Sequence, residues 1–397
     1  MVKVLIVAPT PPATNLGLPI MIEVIVRSQM RGVELRHVRL AVSANESQVG
    51  KFRWMKMLRV FPIIARVIYQ RIVHGPQLLY YAPAGATTMG MLRDVAILGC
   101  TRFLFPKTIL HFHAGGHGEF YERLGRFKRW LFRLAYFRHE AAIRLSEMTP
   151  EDGKALKARR EFIVPNGIAD PGADMPLPHP APVISASRPL HVLFVALLCE
   201  AKGLLVLIEA CGLLAARGVP FELNLMGRFE SPEFEARARS RMRELGIEDQ
   251  VRFLGVLKGE EKFAAFARCD VLCHPTFKDT FGLVIVEAMG CGVPVVATRH
   301  CSIPLIVDEG QTGFLVEEND SAGLADRLAE LADDPRLRRD MGIAGRAKFL
   351  REYTLPRFIE RMRQVFLDVA GELPADEEAE SHDEFAPAGS AYTTSSG

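Results

Sequence analysis

Short runs of apolar, β-branched residues alternate with longer stretches whose apolar positions recur at helical spacing. In the first half, Val2–Ala8 reads as a buried strand and Pro19–Met30 as a helix, with Ile22, Ile25, Val26 and Met30 on one face. Val33–Leu40, Leu78–Ala82, Thr108–His113 and Glu161–Val164 read as further strands. Lys51–His74, Met89–Phe105 and Glu119–Phe137 are the amphipathic segments between them. Strands alternating with helices predict βαβ units and a parallel sheet.

The second half repeats the pattern. His191–Leu197, Phe221–Met226, Val251–Leu254, Val271–His274 and Pro294–Ala297 are strand-sized, and Leu204–Ala216, Glu233–Leu245, Glu260–Ala267 and Leu283–Gly290 are helical. These strands are apolar on both faces, which suits a parallel sheet covered on both sides. Between the halves, Pro171–Pro189 holds six prolines without a period and reads as a linker. The expected organisation is a first domain over 1–170, the linker 171–189 and a second domain over 190–352. A helix over 353–370 is expected to pack back towards the first domain, and the acidic, then small and polar tail 371–397 to be disordered.

The 397 residues, 49% hydrophobic and 24% charged, exclude a fibre or a coiled coil. The net charge of +2 hides an asymmetry. Residues 1–180 carry 25 Lys+Arg against 13 Asp+Glu, whereas residues 181–397 carry 24 against 34. The basic half should prefer an anionic ligand or surface. Seven cysteines without scaffold spacing predict a reducing cytoplasm. The opening MVKVLIVAP is strand-sized and lacks a cleavage site, and no apolar run reaches the length of a spanning helix.

Candidate chemistry concentrates in PTFKDTFGLVIVEA, residues 275–288. Asp279 lies in the loop after a strand, Gly282 allows close backbone approach, and the helix that follows offers free amides and a dipole to a phosphate. Asp279 and Glu287, eight residues apart, could accept hydrogen bonds from sugar hydroxyls.

This stretch resembles the family 4 glycosyltransferases, whose signature is two acidic residues eight apart around a Phe-Gly-Leu turn, then Glu-Ala-Met. Here Phe281, Gly282 and Leu283 are followed by Glu287, Ala288 and Met289, then GCGVPVVAT. The resemblance extends over LFVALLCEAKG (193–203), LNLMG (223–227), VRFLG (251–255) and QTGFLV (311–316). It implies the α/β GT-B fold, with two facing Rossmann-like doubly wound parallel-sheet domains. It also implies that Glu287 binds the nucleotide ribose, that Asp279 contacts the donor sugar and that Lys202 neutralises the diphosphate. Amides near Phe281, Gly282 and Leu283 would hold sugar and phosphate oxygens. Two departures stand out. The family usually has Glu at Asp279, and often Gly-Arg where this chain has Ala196-Leu197, which forgoes a charge-assisted bond of roughly 1.5–3 kcal/mol.

In TILHFHAGGHGE (108–119), a strand puts His111 and His113 on one face before a glycine-rich turn. The resemblance places a histidine near the transferred sugar, and His113 matches it, leaving His111 as a core residue. Zinc binding by His111, His113 and His117 is disfavoured by spacing and by the lack of an acidic partner. Gly17 resembles the family's N-terminal glycine turn, and Asn166-Gly167 is read as a structural turn. Cys269, Cys273 and His274 read as a buried thiol pair beside a histidine. With no Asp-x-Asp in the chain, neither cofactor nor metal is expected.

Lys51–His74 and Gly125–His139 interleave cations with aromatic and aliphatic residues, suiting an anionic membrane surface. Pro62 should bend or break the first of these. No nucleic-acid motif accompanies the charge, so no nucleic-acid partner is expected. The expectation is a cytoplasmic retaining glycosyltransferase, peripheral on the inner face of the cytoplasmic membrane. It would move a sugar from a nucleotide-sugar donor to a lipid-linked or polysaccharide acceptor in cell-envelope or exopolysaccharide synthesis. The alternatives are a catalytically weak GT-B partner in a polysaccharide assembly complex and a GT-B nucleotide-sugar epimerase.

Overall fold

The computed structural model describes residues 1–10, 17–40, 59–173 and 182–372. The expected linker and tail therefore lie partly outside the described residues, as do residues 51–58 of the first basic stretch. The chain forms two compact units, residues 1–165 with 358 onward, and residues 166–357.

In the first unit, β1 (Val2–Ala8), β2 (Val33–Arg39), β3 (Leu78–Tyr81), β4 (Lys107–Phe112), β5 (Ala141–Arg144) and β6 (Arg160–Ile163) form one parallel sheet. Among the described residues its order is β2-β1-β3-β4-β5-β6. This begins as the flavodoxin-like order does, with a switch point between β1 and β3. Leu5, Val67, Ile97 and Phe132 build the core between sheet and helices. The last helix, Leu355–Ala370, belongs to this unit from Phe358 on and packs on the face of the sheet opposite this core. Phe366 meets the Tyr80 ring edge-on at 5.9 Å, and the Lys107 ammonium donates to the Val369 carbonyl at 2.6 Å.

One expectation needs correction here. Glu119–Phe137 is two helices, His117–Glu122 and Arg126–Tyr136. Gly125 between them is extended, at ψ 161°, so the ladder cannot pass through it. Pro62 lies in the first turn of the helix Val60–His74, and residues 51–58 before it lie outside the described residues. Proline is tolerated in the first turn, where its missing N–H has no intrahelical partner to lose.

In the second unit, β7 (Leu190–Val195), β8 (Phe221–Met226), β9 (Val251–Gly255), β10 (Val271–His274), β11 (Val295–Thr298) and β12 (Gly313–Val316) are again parallel. Their order, β12-β11-β10-β7-β8-β9, is that of dinucleotide-binding folds, with the switch point between β7 and β10. Phe194, Leu207, Leu223, Val271 and Leu328 are buried between the layers.

Candidate active site

An open parallel sheet leaves a crevice where neighbouring strands send their connections to opposite faces. In the second unit, that place lies beyond the carboxyl ends of β7 and β10. The loops that leave these strands are stitched together. The Phe277 amide and the Thr276 hydroxyl both donate to the Ala201 carbonyl, at 3.2 and 3.3 Å. Gly203, at φ 76°, lies so close to the other loop that a Cβ there would fall 1.9 Å from the Pro275 carbonyl oxygen. Only glycine permits this approach, and the approach positions the residue before it, Lys202.

The Lys202 ammonium donates to Asp279 Oδ2 at 2.7 Å and to the Lys278 carbonyl at 2.8 Å. Asp279 Oδ1 accepts the amides of Phe281 (3.3 Å) and Gly282 (3.0 Å). His274, buried at the end of β10, places Nε2 3.3 Å from Asp279 Oδ2. Burial alone would raise the Asp279 carboxyl. The His274 hydrogen bond and the Lys202 charge outweigh it and hold the group well below the usual range, ionised. Burial lowers the His274 pKa, and Asp279 opposes this in part.

Gly282, at φ 84°, turns the chain into the helix Leu283–Gly290. Phe281 is buried and meets Tyr353 edge-on at 6.2 Å, which fixes the turn. Two of the amides expected to face a ligand, those of Phe281 and Gly282, are thus donated to Asp279. The Leu283 and Val284 amides have no intrahelical acceptor by geometry and sit at the positive end of the dipole, whereas the Ile285 amide already donates to the Gly282 carbonyl at 2.9 Å. On the same helix, Glu287 accepts from the Lys262 ammonium at 2.6 Å. Burial raises the Glu287 carboxyl, and Lys262 opposes the rise. Leu197, where the resemblance has arginine, is partly exposed just beyond β7.

In the first unit, His111 lies on β4 and His113 directly after it. Their rings stack at 3.8 Å, and the Tyr80 hydroxyl is 2.7 Å from His111 Nδ1. Burial draws the His113 pKa down to about 3, so the ring is neutral, and its Nε2 has no partner among the described residues. His117 turns elsewhere, to the Ala84 carbonyl at 2.8 Å and to Asp152 at 3.6 Å. The three histidines therefore do not converge on one point. Gly17 opens the helix Gly17–Arg27 after β1, and residues 11–16 before it lie outside the described residues.

The structure thus brings Lys202, Asp279, Phe281, Gly282, Leu283 and Glu287 onto two loops and one helix of the second unit, with His113 and Gly17 in the first. Sequence reasoning missed His274 and Lys262. His274 was visible as the polar end of an apolar strand, five residues before Asp279. Lys262, in a charged helix, gave no signal.

Residues 181–348 match the family described as glycosyl transferases group 1. Those residues are a group 1 glycosyltransferase domain. WcaL of Escherichia coli (strain K12), named as a colanic acid biosynthesis glycosyltransferase, is 37% identical over 164 residues, covering 40% of each chain. The match thus spans well under half the length of that relative. Sucrose-phosphate synthase from Thermosynechococcus elongatus superposes with a TM-score of 0.70 at 17% identity, covering 94% of this chain and all of that one. Anabaena HepE, solved in complex with UDP, superposes at 0.69 and 18% identity, covering 92% of this chain and 100% of its own. These likenesses show that the α/β fold with two units is the GT-B fold. The Lys202–Asp279 pair and Glu287 all lie inside the group 1 domain. No helix among the described residues is long and apolar enough to cross a membrane.

Proposed function

We propose that this chain is a retaining glycosyltransferase that moves a sugar from a nucleotide-sugar donor to a lipid-linked or polysaccharide acceptor. The donor belongs to the group 1 domain, and the acceptor to the unit that carries His113 and Gly17. The carrying observation is the Lys202 ammonium, fixed at a sheet switch point beside the start of the helix Leu283–Gly290. A positive charge and open amides there suit a leaving diphosphate. Electrostatic stabilisation of that group would supply much of the rate. The acceptor hydroxyl oxygen would bond to the anomeric carbon on the face the diphosphate leaves, its proton passing to the departing phosphate oxygen. Glu287 would hold the ribose hydroxyls once they displace or share Lys262. Residues 171–189 serve as the linker, and neither metal nor cofactor takes part. The likeness to WcaL, named for colanic acid biosynthesis, supports a polysaccharide as product. The likeness to HepE, solved with UDP bound, makes UDP the first nucleotide to test.

The interleaved cations and apolar residues of Lys51–His74 and Gly125–His139 support peripheral contact with the inner face of the cytoplasmic membrane. A second reading, a catalytically weak partner in an assembly complex, draws on Leu197 in place of arginine and on Asp279, one methylene short. Calorimetric titration with UDP, GDP and ADP decides between them. The transferase reading expects micromolar to low-millimolar binding of one nucleotide, weakened about tenfold or more in Glu287→Ala. No binding of any would advance the second reading.

A further inference from the structure

At the opposite end of the first sheet from His113, a cavity of about 740 Å³ opens beneath the amino ends of β4, β5 and β6. Six residues of β4 separate it from the candidate site, a distance of about 20 Å. Four cations, Arg102, Arg133, Arg138 and Lys157, line it in different ways. Arg133 is held by the Tyr121 hydroxyl at 2.6 Å and lies 5.7 Å over the Phe137 ring. Arg138 and Lys157 precede β5 and β6, are exposed, and have no acidic partner among the described residues. Both occupy the left-handed region, at φ 55° and 58°, which non-glycine side chains rarely adopt. The backbone thus holds two unpaired cations in an unfavoured conformation at one cavity. Glu122, the acid of the lining, is already 3.5 Å from Arg129.

The rim is apolar and wet. Phe103 is 65% exposed and Trp130 61%, and Phe127 stacks on Trp130 at 6.2 Å. Arg102, beneath Phe103, is spent on structure, donating to the carbonyls of Leu134, Ala135, Phe137 and Arg138 at the end of the helix Arg126–Tyr136. Cations in a cavity under an aromatic rim match an amphiphile with an anionic head. Aromatic rings favour the headgroup level of a bilayer, and surface cations attract its anionic lipids.

We propose that this cavity binds the phosphate headgroup of an anionic phospholipid, through Arg133, Arg138 and Lys157, with Phe103 and Trp130 set among the neighbouring lipids. The site rests on the membrane contact proposed above and is independent of the transfer chemistry.

The test is sedimentation of the full chain with vesicles of phosphatidylcholine alone or mixed equally with phosphatidylglycerol. Binding should require phosphatidylglycerol. It should fall about tenfold or more in Arg138→Asn/Lys157→Asn, at about 1 kcal/mol for each cation lost. Asparagine tolerates the left-handed region, so this variant should keep its thermal unfolding midpoint. The control pair Arg31→Asn/Lys258→Asn, exposed cations outside the cavity and outside both membrane-contact stretches, should bind within about threefold of the parent. Equal loss in both pairs would overturn the cavity while leaving the membrane contact standing. Absence of vesicle binding in the parent chain would overturn both. If inorganic phosphate competes as well as dihexanoyl phosphatidylglycerol, the site belongs to a soluble anion and the lipid assignment fails.

Discussion

Two carboxylates, one in each unit, are equally well supplied with donors and differ in one respect. Asp94 accepts from the hydroxyls of Tyr81 and Tyr136, the Ala84 amide and the Arg93 guanidinium. Asp279 accepts from Lys202, His274 and two amides. Asp94 is 0% exposed, whereas Asp279 is 23% exposed, at a switch point. Counting hydrogen bonds would rank them together. Access to a ligand separates them. Asp94 ties the end of β3 to two helices, and its donors leave no path to solvent. Asp279 holds Lys202 in place at an open edge, where an anion can take over the ammonium.

The largest expected effect comes from Asp94→Ala. It strands two buried hydroxyls and the Arg93 guanidinium, which costs about 3–5 kcal/mol. Chemical denaturation should show this loss in the first unit, while the nucleotide affinity of the second unit stays within about twofold. A mild loss of stability would mean that Asp94 is less of a keystone than its four donors imply.

Acid should divide the units next. Burial lowers His111 and draws His113 to about 3 and His139 to about 4, all in the first unit. These rings stay neutral in the fold, while the unfolded chain takes up protons near pH 6.5. Their stabilisation is therefore full above about 6.5 and is lost as pH falls from there towards 4. Between pH 7 and 5, His113 and His139 each cost about 2 kcal/mol, and His111 adds to the loss in the same direction. The second unit has His274 with the same sign, and Glu287, whose raised carboxyl acts with the opposite sign. Hydrogen exchange should thus show the first unit losing about 4 kcal/mol between pH 7 and 5 through His113 and His139, and opening ahead of the second. Parallel opening would show that the histidines are better hydrated than the packing implies.

How far each unit could be read from sequence follows the same division. In the second unit, β10, β11 and β12, buried at every position, carried strong apolar runs, and the motif residues Asp279 and Glu287 followed β10. In the first unit, β5 is only Ala-Ala-Ile-Arg, and it is a strand because β4 and β6 flank it. Nothing in four such residues announces that. Gly125 between two amphipathic stretches looked like an interior glycine until the extended backbone showed a break. Lys262 was hidden for another reason. Its role is a contact with Glu287, and a pairing across 25 residues leaves no periodicity to read.

Removing the Lys202 ammonium should affect chemistry more than folding. Lys202→Ala leaves Asp279 with its two amides and His274, so the fold should hold. Transfer should fall by roughly 10²–10³, as when one preorganised group facing developing negative charge is deleted. Product formation from a nucleotide sugar, measured at saturating donor, checks this. Retained turnover would remove Lys202 from the mechanism and return the comparison with Asp94 to a purely structural one.

The smallest effect concerns length. Asp279→Glu restores the residue usual in the resembling family and adds one methylene. With aspartate, Oδ1 reaches the Phe281 and Gly282 amides while Oδ2 meets Lys202, so one short side chain braces the turn and holds the ammonium. A glutamate carboxylate would overshoot the turn, giving up one or both amide bonds at about 1 kcal/mol each, and would extend further into the crevice. Thermal unfolding of the second unit should shift down by a few degrees, with nucleotide affinity within about threefold. If stability is unchanged and transfer rises instead, the amides of Phe281 and Gly282 are better used by the ligand than by Asp279. The donated amides would then mark a resting arrangement that the donor displaces.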